Sequence, residues 1–200
     1  MRKIICILLG IMIYSTSFGQ EKQIIRETFE SNKFQWDEFY EKNRSSNIQD
    51  GALVIKNEDN ITTISVVEFP LNTEQNFKIH FKFISKINSD NWFGIVYNYE
   101  DEDNYSCFLM QEQKFKIINK VDGTQRISRQ GSIILYSAKK EKEINAVMEK
   151  KGQKLIFSVD NMEVITITKP LSYPAFGCCL QGEATLKVDE IIMEQQLQDE

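Results

Sequence analysis

Residues 77–87 read FKIHFKFISKI, and this stretch is the clearest structural signal in the chain. Successive side chains of a β-strand point to opposite faces of a sheet, so an apolar residue at every second position marks one buried face. The stretch therefore predicts a strand that faces a core on one side and water on the other. Its apolar positions are Phe77, Ile79, Phe81 and Phe83, and its polar ones are Lys78, His80 and Lys82.

Similar runs, rich in Ile, Val, Thr and aromatic residues, recur at short intervals along the chain and also predict strands. Turn signals such as Asp50-Gly51, Asp122-Gly123 and Lys151-Gly152 separate several of them. Many short strands without intervening helices are typical of an antiparallel sandwich, here with two large sheets. The further predicted strands are 51–56, 61–69, 92–99, 105–110, 114–120, 124–129, 143–150, 154–159, 162–168, 175–180 and 184–193.

The first residues have the pattern of a signal peptide over residues 1–19. Arg2 and Lys3 precede an apolar run at 4–14, and small and polar residues follow up to a predicted cleavage between Gly19 and Gln20. The apolar run is too short to span a bilayer, which takes about 20 helical residues. We therefore expect an exported chain, periplasmic or secreted, with one domain over residues 20–200 and no membrane span after cleavage.

Charge and cysteine content narrow the function classes further. The net charge is −5, and Lys and Arg form no basic stripe, which argues against binding to nucleic acid. The predicted mature chain has three cysteines, so an oxidising compartment permits a disulfide from Cys107 to Cys178 or Cys179 with one thiol left over. Alternatively, all three are small buried apolar residues.

Several segments match, in order, the strands of one known architecture. They are ETFE at 27–30 with Trp36, DGALVI at 50–55, NFKIHFKF at 76–83, WFGIVY at 92–97 with NYSCF at 104–108, LIFSVDNMEV at 155–164 and LKVDEI at 186–191. This order resembles the concanavalin A-like jelly roll of laminin G-like, lectin and glucanase domains. The resemblance implies an all-β, two-sheet antiparallel jelly-roll sandwich. The family usually has a glycine in the hairpin where this chain has Asp160-Asn161.

The sequence offers few catalytic groups. His80 is its one histidine, so a site with several histidine ligands cannot form. Nucleophile and phosphate-loop motifs are absent. The E-x-D-x-x-E strand of jelly-roll glucanases is absent as well. We therefore predict a non-enzymatic binding module, with a glycan as the ligand that the lectin-like resemblance implies. A glycoside hydrolase-like enzyme with an unrecognised acid pair, or a domain that binds another exported protein, are the alternatives.

Two groups of residues are candidate binding sites. Sugars stack on aromatic rings while amides and Arg orient their hydroxyl groups. A glycan platform on one face of the sandwich is therefore predicted from Trp92, Asn98, Tyr99, Gln111 and Arg126. The acidic turn at 100–103 makes Asp101 and Asp103 candidate ligands for calcium, although such a turn can also be a solvated hairpin tip. No other cofactor is predicted.

Overall fold

The computed structural model describes residues 22–86, 90–135 and 141–196, which form strands without any helix. The predicted signal peptide and its Gly19–Gln20 cleavage site lie outside the described residues. The described residues contain no helix that could cross a membrane. The strands are β1 (Lys22–Glu27), β2 (Phe39–Tyr40), β3 (Arg44–Gln49), β4 (Ala52–Asn57), β5 (Thr62–Glu68), β6 (Phe77–Ser85), β7 (Trp92–Asp101), β8 (Asn104–Met110), β9 (Lys114–Val121), β10 (Thr124–Ser132), β11 (Lys142–Lys151), β12 (Lys154–Val159), β13 (Met162–Thr168), β14 (Ala175–Gln181) and β15 (Ala184–Gln196).

The strands form two antiparallel sheets, as the sequence predicts. Sheet A has nine strands in the order β13-β12-β11-β6-β15-β4-β3-β2, with β1 also paired to β15. Sheet B has six strands in the order β10-β9-β8-β7-β14-β5. Neighbours in both sheets are often distant in sequence, as in the pairing of β14 with β5 and β7.

Aromatic side chains fill the space between the sheets. On β6 the alternation holds as predicted, because Phe77, Ile79, Phe81 and Phe83 are buried while the residues between them are partly exposed. The two sheets meet through ring contacts: Phe108 of β8 stacks on Phe157 of β12 with centroids 4.8 Å apart. Each buried aromatic or aliphatic side chain of this size stabilises the fold by about 1.5–3 kcal/mol.

The hairpin over Asp160 and Asn161 forms without the glycine that is usual in the resembling domains. Both residues have positive φ, 47° and 67°, a conformation that Asp and Asn adopt more readily than other non-glycine residues. The Asp160 carboxylate also accepts a hydrogen bond from the backbone N–H of Asn145 at 3.0 Å. This contact ties the turn to β11 and compensates for the strained backbone.

Gly94 lies where β7 approaches β8 closely. A Cβ atom at this position would stand 2.0 Å from the carbonyl oxygen of Phe108 on β8. No side chain can move aside to relieve this contact, because the opposing atom is backbone. The pairing of two central strands of sheet B therefore requires glycine here.

We predict that Gly94→Ala lowers the free energy of unfolding by more than about 3 kcal/mol, because the methyl group forces β7 away from β8. Gly152→Ala is the matched control, since a Cβ at that turn meets no atom within 4 Å and costs only the left-handed backbone strain at φ +59°. That strain is about 1–2 kcal/mol. Urea unfolding followed by tryptophan fluorescence measures both. Equal losses for the two variants would contradict the close approach.

Candidate functional site

The outward face of sheet B carries a second apolar cluster, separate from the main core. Along β7, β8, β9 and β14, the side chains between the core residues point to the outer face. The register of the paired strands places these outward side chains next to one another. All are at most 3% exposed despite this position. We call this set the outer cluster: Val96, Cys107, Leu109, Ile118 and Cys179.

At one end of the outer cluster, Lys116 covers Trp92. The Lys116 ammonium lies 4.1 Å from the centre of the Trp92 ring and donates a hydrogen bond of 2.7 Å to the side-chain oxygen of Gln181. Burial lowers the pKa of Lys116. Because the lysine occupies this face of the indole, that face of Trp92 does not offer an open surface for a sugar ring.

At the other end, Tyr99 and Tyr105 lie in a pocket of about 510 Å³. Their rings stack with centroids 6.2 Å apart and planes 26° from parallel. Sheet B supplies one side of the pocket, and the segment at 37–44 around β2 supplies the other. The lining residues are Asp37, Glu38, Phe39, Glu41, Arg44, Thr62, Ile64, Ser65, Val66, Tyr99, Glu102, Tyr105 and Lys120. We call this the tyrosine pocket.

Ion pairs fix the two cations of the tyrosine pocket. Arg44 donates two hydrogen bonds to the Glu41 carboxylate, from Nε at 2.6 Å and from a terminal nitrogen at 3.1 Å. This pair lowers the pKa of Glu41 and raises that of Arg44. Lys120 donates to the Glu102 carbonyl at 2.7 Å and pairs with the Asp103 carboxylate at 3.0 Å. The bidentate geometry fixes the orientation of the guanidinium plane.

Two carboxylates in the pocket remain available as acceptors. Within the described part of the chain, the side chains of Asp37 and Glu102 have no hydrogen bond or salt bridge. Burial, followed by the nearby charges of Glu102, Asp101 and Asp37, raises the pKa of Tyr99. Its hydroxyl therefore stays protonated at neutral pH and can donate a hydrogen bond. The pocket thus combines apolar ring surface with both acceptors and donors.

A slightly larger pocket, of about 540 Å³, lies on sheet A and is less suited to a ligand. Four of its charged groups are paired with each other: Lys22 with Glu194, and Lys151 with Glu149 at 3.0 Å. Its single aromatic residue, Phe77, is buried in the core. Both carboxylates that line this pocket therefore have partners already, and no exposed ring lies among its lining residues.

The five residues predicted as a glycan platform do not converge in the structure. Trp92 and Tyr99 share the outer face of sheet B, but they are seven residues apart on β7, a separation of roughly 20 Å. Tyr99 lines the tyrosine pocket and the other four do not. Gln111 is buried just after the end of β8.

Asn98 and Arg126 have other positions. The Asn98 side-chain oxygen accepts hydrogen bonds from the backbone N–H groups of Ser172 and Tyr173, at 2.6 and 3.3 Å, and so holds the loop before β14. Arg126 pairs in register with Asn119, whose side chain points away from the outer face toward Lys169. Directly opposite residues share a face, so Arg126 is on the side of sheet B away from Trp92.

The acidic turn uses its carboxylates for its own hydrogen bonds. Asp101 accepts from the backbone N–H of Asp103 at 2.8 Å and from the Asn104 amide at 3.0 Å. Asp103 pairs with Lys120. Among the described residues, no three His, Cys, Asp or Glu side chains are placed to share a metal ion. Calcium binding by Asp101 and Asp103 stays a prediction.

The three cysteines in the described ranges are buried free thiols. Cys178 packs in the core between the sheets, whereas Cys179 and Cys107 belong to the outer cluster. Burial raises the pKa of the Cys107 thiol, and its hydrogen bond with Cys179 raises it further. Cys178 points to the face opposite Cys107, and Cys179, although on the same face, lies on β14, which β7 separates from β8. The disulfide from Cys107 to Cys178 or Cys179 stays a prediction.

Comparison with known proteins places the fold. No protein-family model matches the chain, and no curated protein does. Solved structures do match. The carbohydrate-binding module CBM66 from Bacillus subtilis is 11% identical with a TM-score of 0.57, covering 78% of this chain and 94% of the module. The carbohydrate recognition domain of Emp46p, in its metal-free form, is 10% identical with a TM-score of 0.61, covering 84% and 93%.

An enzyme domain matches equally well. The catalytic domain of an endo-1,3-β-glucanase (laminarinase) from Thermotoga petrophila RKU-1 is 10% identical with a TM-score of 0.59, covering 90% of this chain and all of that domain. These structures are concanavalin A-like jelly-roll sandwiches, so the resemblance seen in the sequence is confirmed. At such low identity they establish the fold and not the activity.

We predict that the three buried thiols of the reduced native protein react with an aromatic disulfide reagent on the order of 100-fold more slowly than free cysteine, because reaction requires local opening and a thiolate. In denaturant all of them should react at once. Absorbance of the released thiolate at pH 8 measures both rates. Rapid reaction of the native protein would contradict the burial of Cys107 and Cys179, and counting thiols before reduction tests the disulfide.

Proposed function

We propose that this chain is an exported, non-enzymatic binding module that takes a glycan in the tyrosine pocket. The observation that carries the proposal is the stacked pair Tyr99–Tyr105 beside the unpaired carboxylates of Asp37 and Glu102. C–H groups of a sugar ring pack on aromatic faces, and the carboxylates accept hydrogen bonds from its hydroxyl groups. The carbohydrate-binding neighbours support this assignment through the fold alone.

The charges around the pocket favour a neutral or basic saccharide. Four carboxylates (Asp37, Glu38, Glu41 and Glu102) surround it, against the two cations Arg44 and Lys120. Both cations already have acidic partners. A uronic acid or sulfated sugar would bring a further negative charge toward unpaired carboxylates, whose repulsion in a partly desolvated pocket is stronger than in water. An amino sugar would instead gain an ion pair.

The outer cluster argues against hydrolysis on the middle of sheet B. Glycoside hydrolysis uses two carboxylates about 5–10 Å apart on either side of the scissile bond. In the described strands β7, β8 and β14, the outward side chains at the centre are apolar or absent: Val96, Cys107, Leu109 and Cys179, with Gly94 among them. The rim of the tyrosine pocket carries several carboxylates, and a catalytic pair among them makes a hydrolase the second candidate.

We predict that the protein binds neutral or amino-sugar oligosaccharides, and that Tyr99→Ala weakens binding at least tenfold, about 1.4 kcal/mol, because the ring platform is lost. Tyr40→Ala is the matched control. Tyr40 is 75% exposed and lies outside the pocket, so its loss should change affinity less than twofold. Titration calorimetry across a panel of glucans, xylans, chitosan oligosaccharides and oligouronates measures the effect.

Three outcomes would overturn the proposal. Unchanged affinity in Tyr99→Ala would mean that the ligand binds elsewhere on the protein. Lack of binding across the panel, together with a stable protein partner recovered on purification, would favour the protein-interaction alternative. Release of reducing sugar that disappears in Asp37→Asn and Glu102→Gln would establish a hydrolase.

A further inference from the structure

A second pocket, of about 410 Å³, opens between the edge strands β10 of sheet B and β13 of sheet A. Its lining includes Arg129 and Lys169 together with the hydroxyl groups of Ser128 and Thr168, and it includes no acidic residue. This composition is unusual in a chain with a net charge of −5. We call it the edge slot.

Lys169 is the more buried of the two cations. Its ammonium donates to the Ser106 hydroxyl at 2.6 Å and to the Asn119 side-chain oxygen at 2.7 Å, and lies 5.9 Å from the centre of the Tyr97 ring. Both acceptors are neutral, and burial alone lowers the pKa of Lys169. An ammonium group has three N–H donors, so one remains to be satisfied from the slot.

Arg129 also has donors to spare. One terminal nitrogen donates to the Ser128 carbonyl at 2.8 Å. In the described ranges Arg129 makes no salt bridge, although a guanidinium carries five N–H groups that suit planar or tetrahedral oxyanions. Glu163 lies outside the lining of the slot and accepts a hydrogen bond of 2.8 Å from the Thr166 hydroxyl.

We propose that the edge slot binds an oxyanion group, such as a sulfate, phosphate or carboxylate, between Arg129 and Lys169. The slot is rich in donors and poor in acceptors, and a half-buried cation without a carboxylate partner gains more from an anion than an exposed one does, because water screens it less. The group can be a free inorganic anion or a substituent of an acidic saccharide; both present the same oxygen atoms.

The alternative is that Lys169 only fills the open edge of the sandwich, with water on its third N–H. Titration of the full chain with inorganic sulfate, and separately with a sulfated disaccharide, distinguishes an oxyanion site from a lysine that only fills the edge. We expect saturable shifts of the Lys169 ammonium and Arg129 guanidinium resonances in NMR spectra, at constant ionic strength held with chloride.

Arg129→Gln should weaken the sulfate response at least tenfold and leave the fold intact, because Arg129 is exposed on an edge strand. Arg26→Gln, which removes an exposed arginine from β1, should change it less than twofold. Tighter binding of the disaccharide than of sulfate supports a saccharide source, and equal or weaker binding a free anion.

The proposal is overturned if shifts rise linearly without saturation, if chloride alone produces them, or if Arg129→Gln binds as tightly as the parent chain. These outcomes are independent of the tyrosine pocket, because Tyr99→Ala should leave the sulfate response unchanged.

Discussion

The central strands of sheet B are buried on both faces, and this constraint decides where polar chemistry can lie. Inward, Phe93, Phe108 and Phe176 pack against sheet A, while outward Val96 and Leu109 of the outer cluster are almost fully shielded from water. A fully buried Val or Leu contributes about 1.5–3 kcal/mol, and an unpaired carboxylate in its place would cost several kcal/mol. The middle of this face is therefore closed to charged groups, which lie at its margins.

The margin beside β5 becomes a pocket because of the topology. β2 and β3 form one edge of sheet A, and β5 is the edge of sheet B. The two edges touch where the hydroxyls of Ser46 and Ser65 meet at 3.2 Å. The segment leading into β3 can then extend beyond β5 and face Tyr99 and Tyr105, with Arg44 fixed by Glu41 as part of the wall. A binding surface arises here from a sheet edge instead of from long loops.

The sequence predicts the strands better than the site. Sequence patterns locate twelve of the fifteen strands in the described residues, including β12 and β13 to the residue. The short or polar strands β1, β2 and β3 are not predicted. β3, for example, reads RSSNIQ and has no apolar alternation. The residues of the predicted platform around Trp92 and Arg126 do not converge, because the face to which a side chain points depends on the strand register. The irregular pairing near Arg129 and the bulge after Tyr97 change which side chains are neighbours. The segment at 37–44, which forms one side of the tyrosine pocket, is brought next to Tyr99 by tertiary contacts. Such contacts leave no periodic pattern in a single sequence.

The tyrosine pocket and the edge slot have opposite charge and open on opposite faces of sheet B. On β9, Lys120 lines the tyrosine pocket while the adjacent Asn119 lines the edge slot, and successive side chains of a strand point to opposite faces. The sheet therefore stands between the carboxylates around Tyr99 and the cations Arg129 and Lys169, and no acidic residue lines the slot itself. Each site thus selects its ligand by the charges that line it, and a net acidic protein can hold an anion on one face of the sheet while it favours neutral or basic groups on the other.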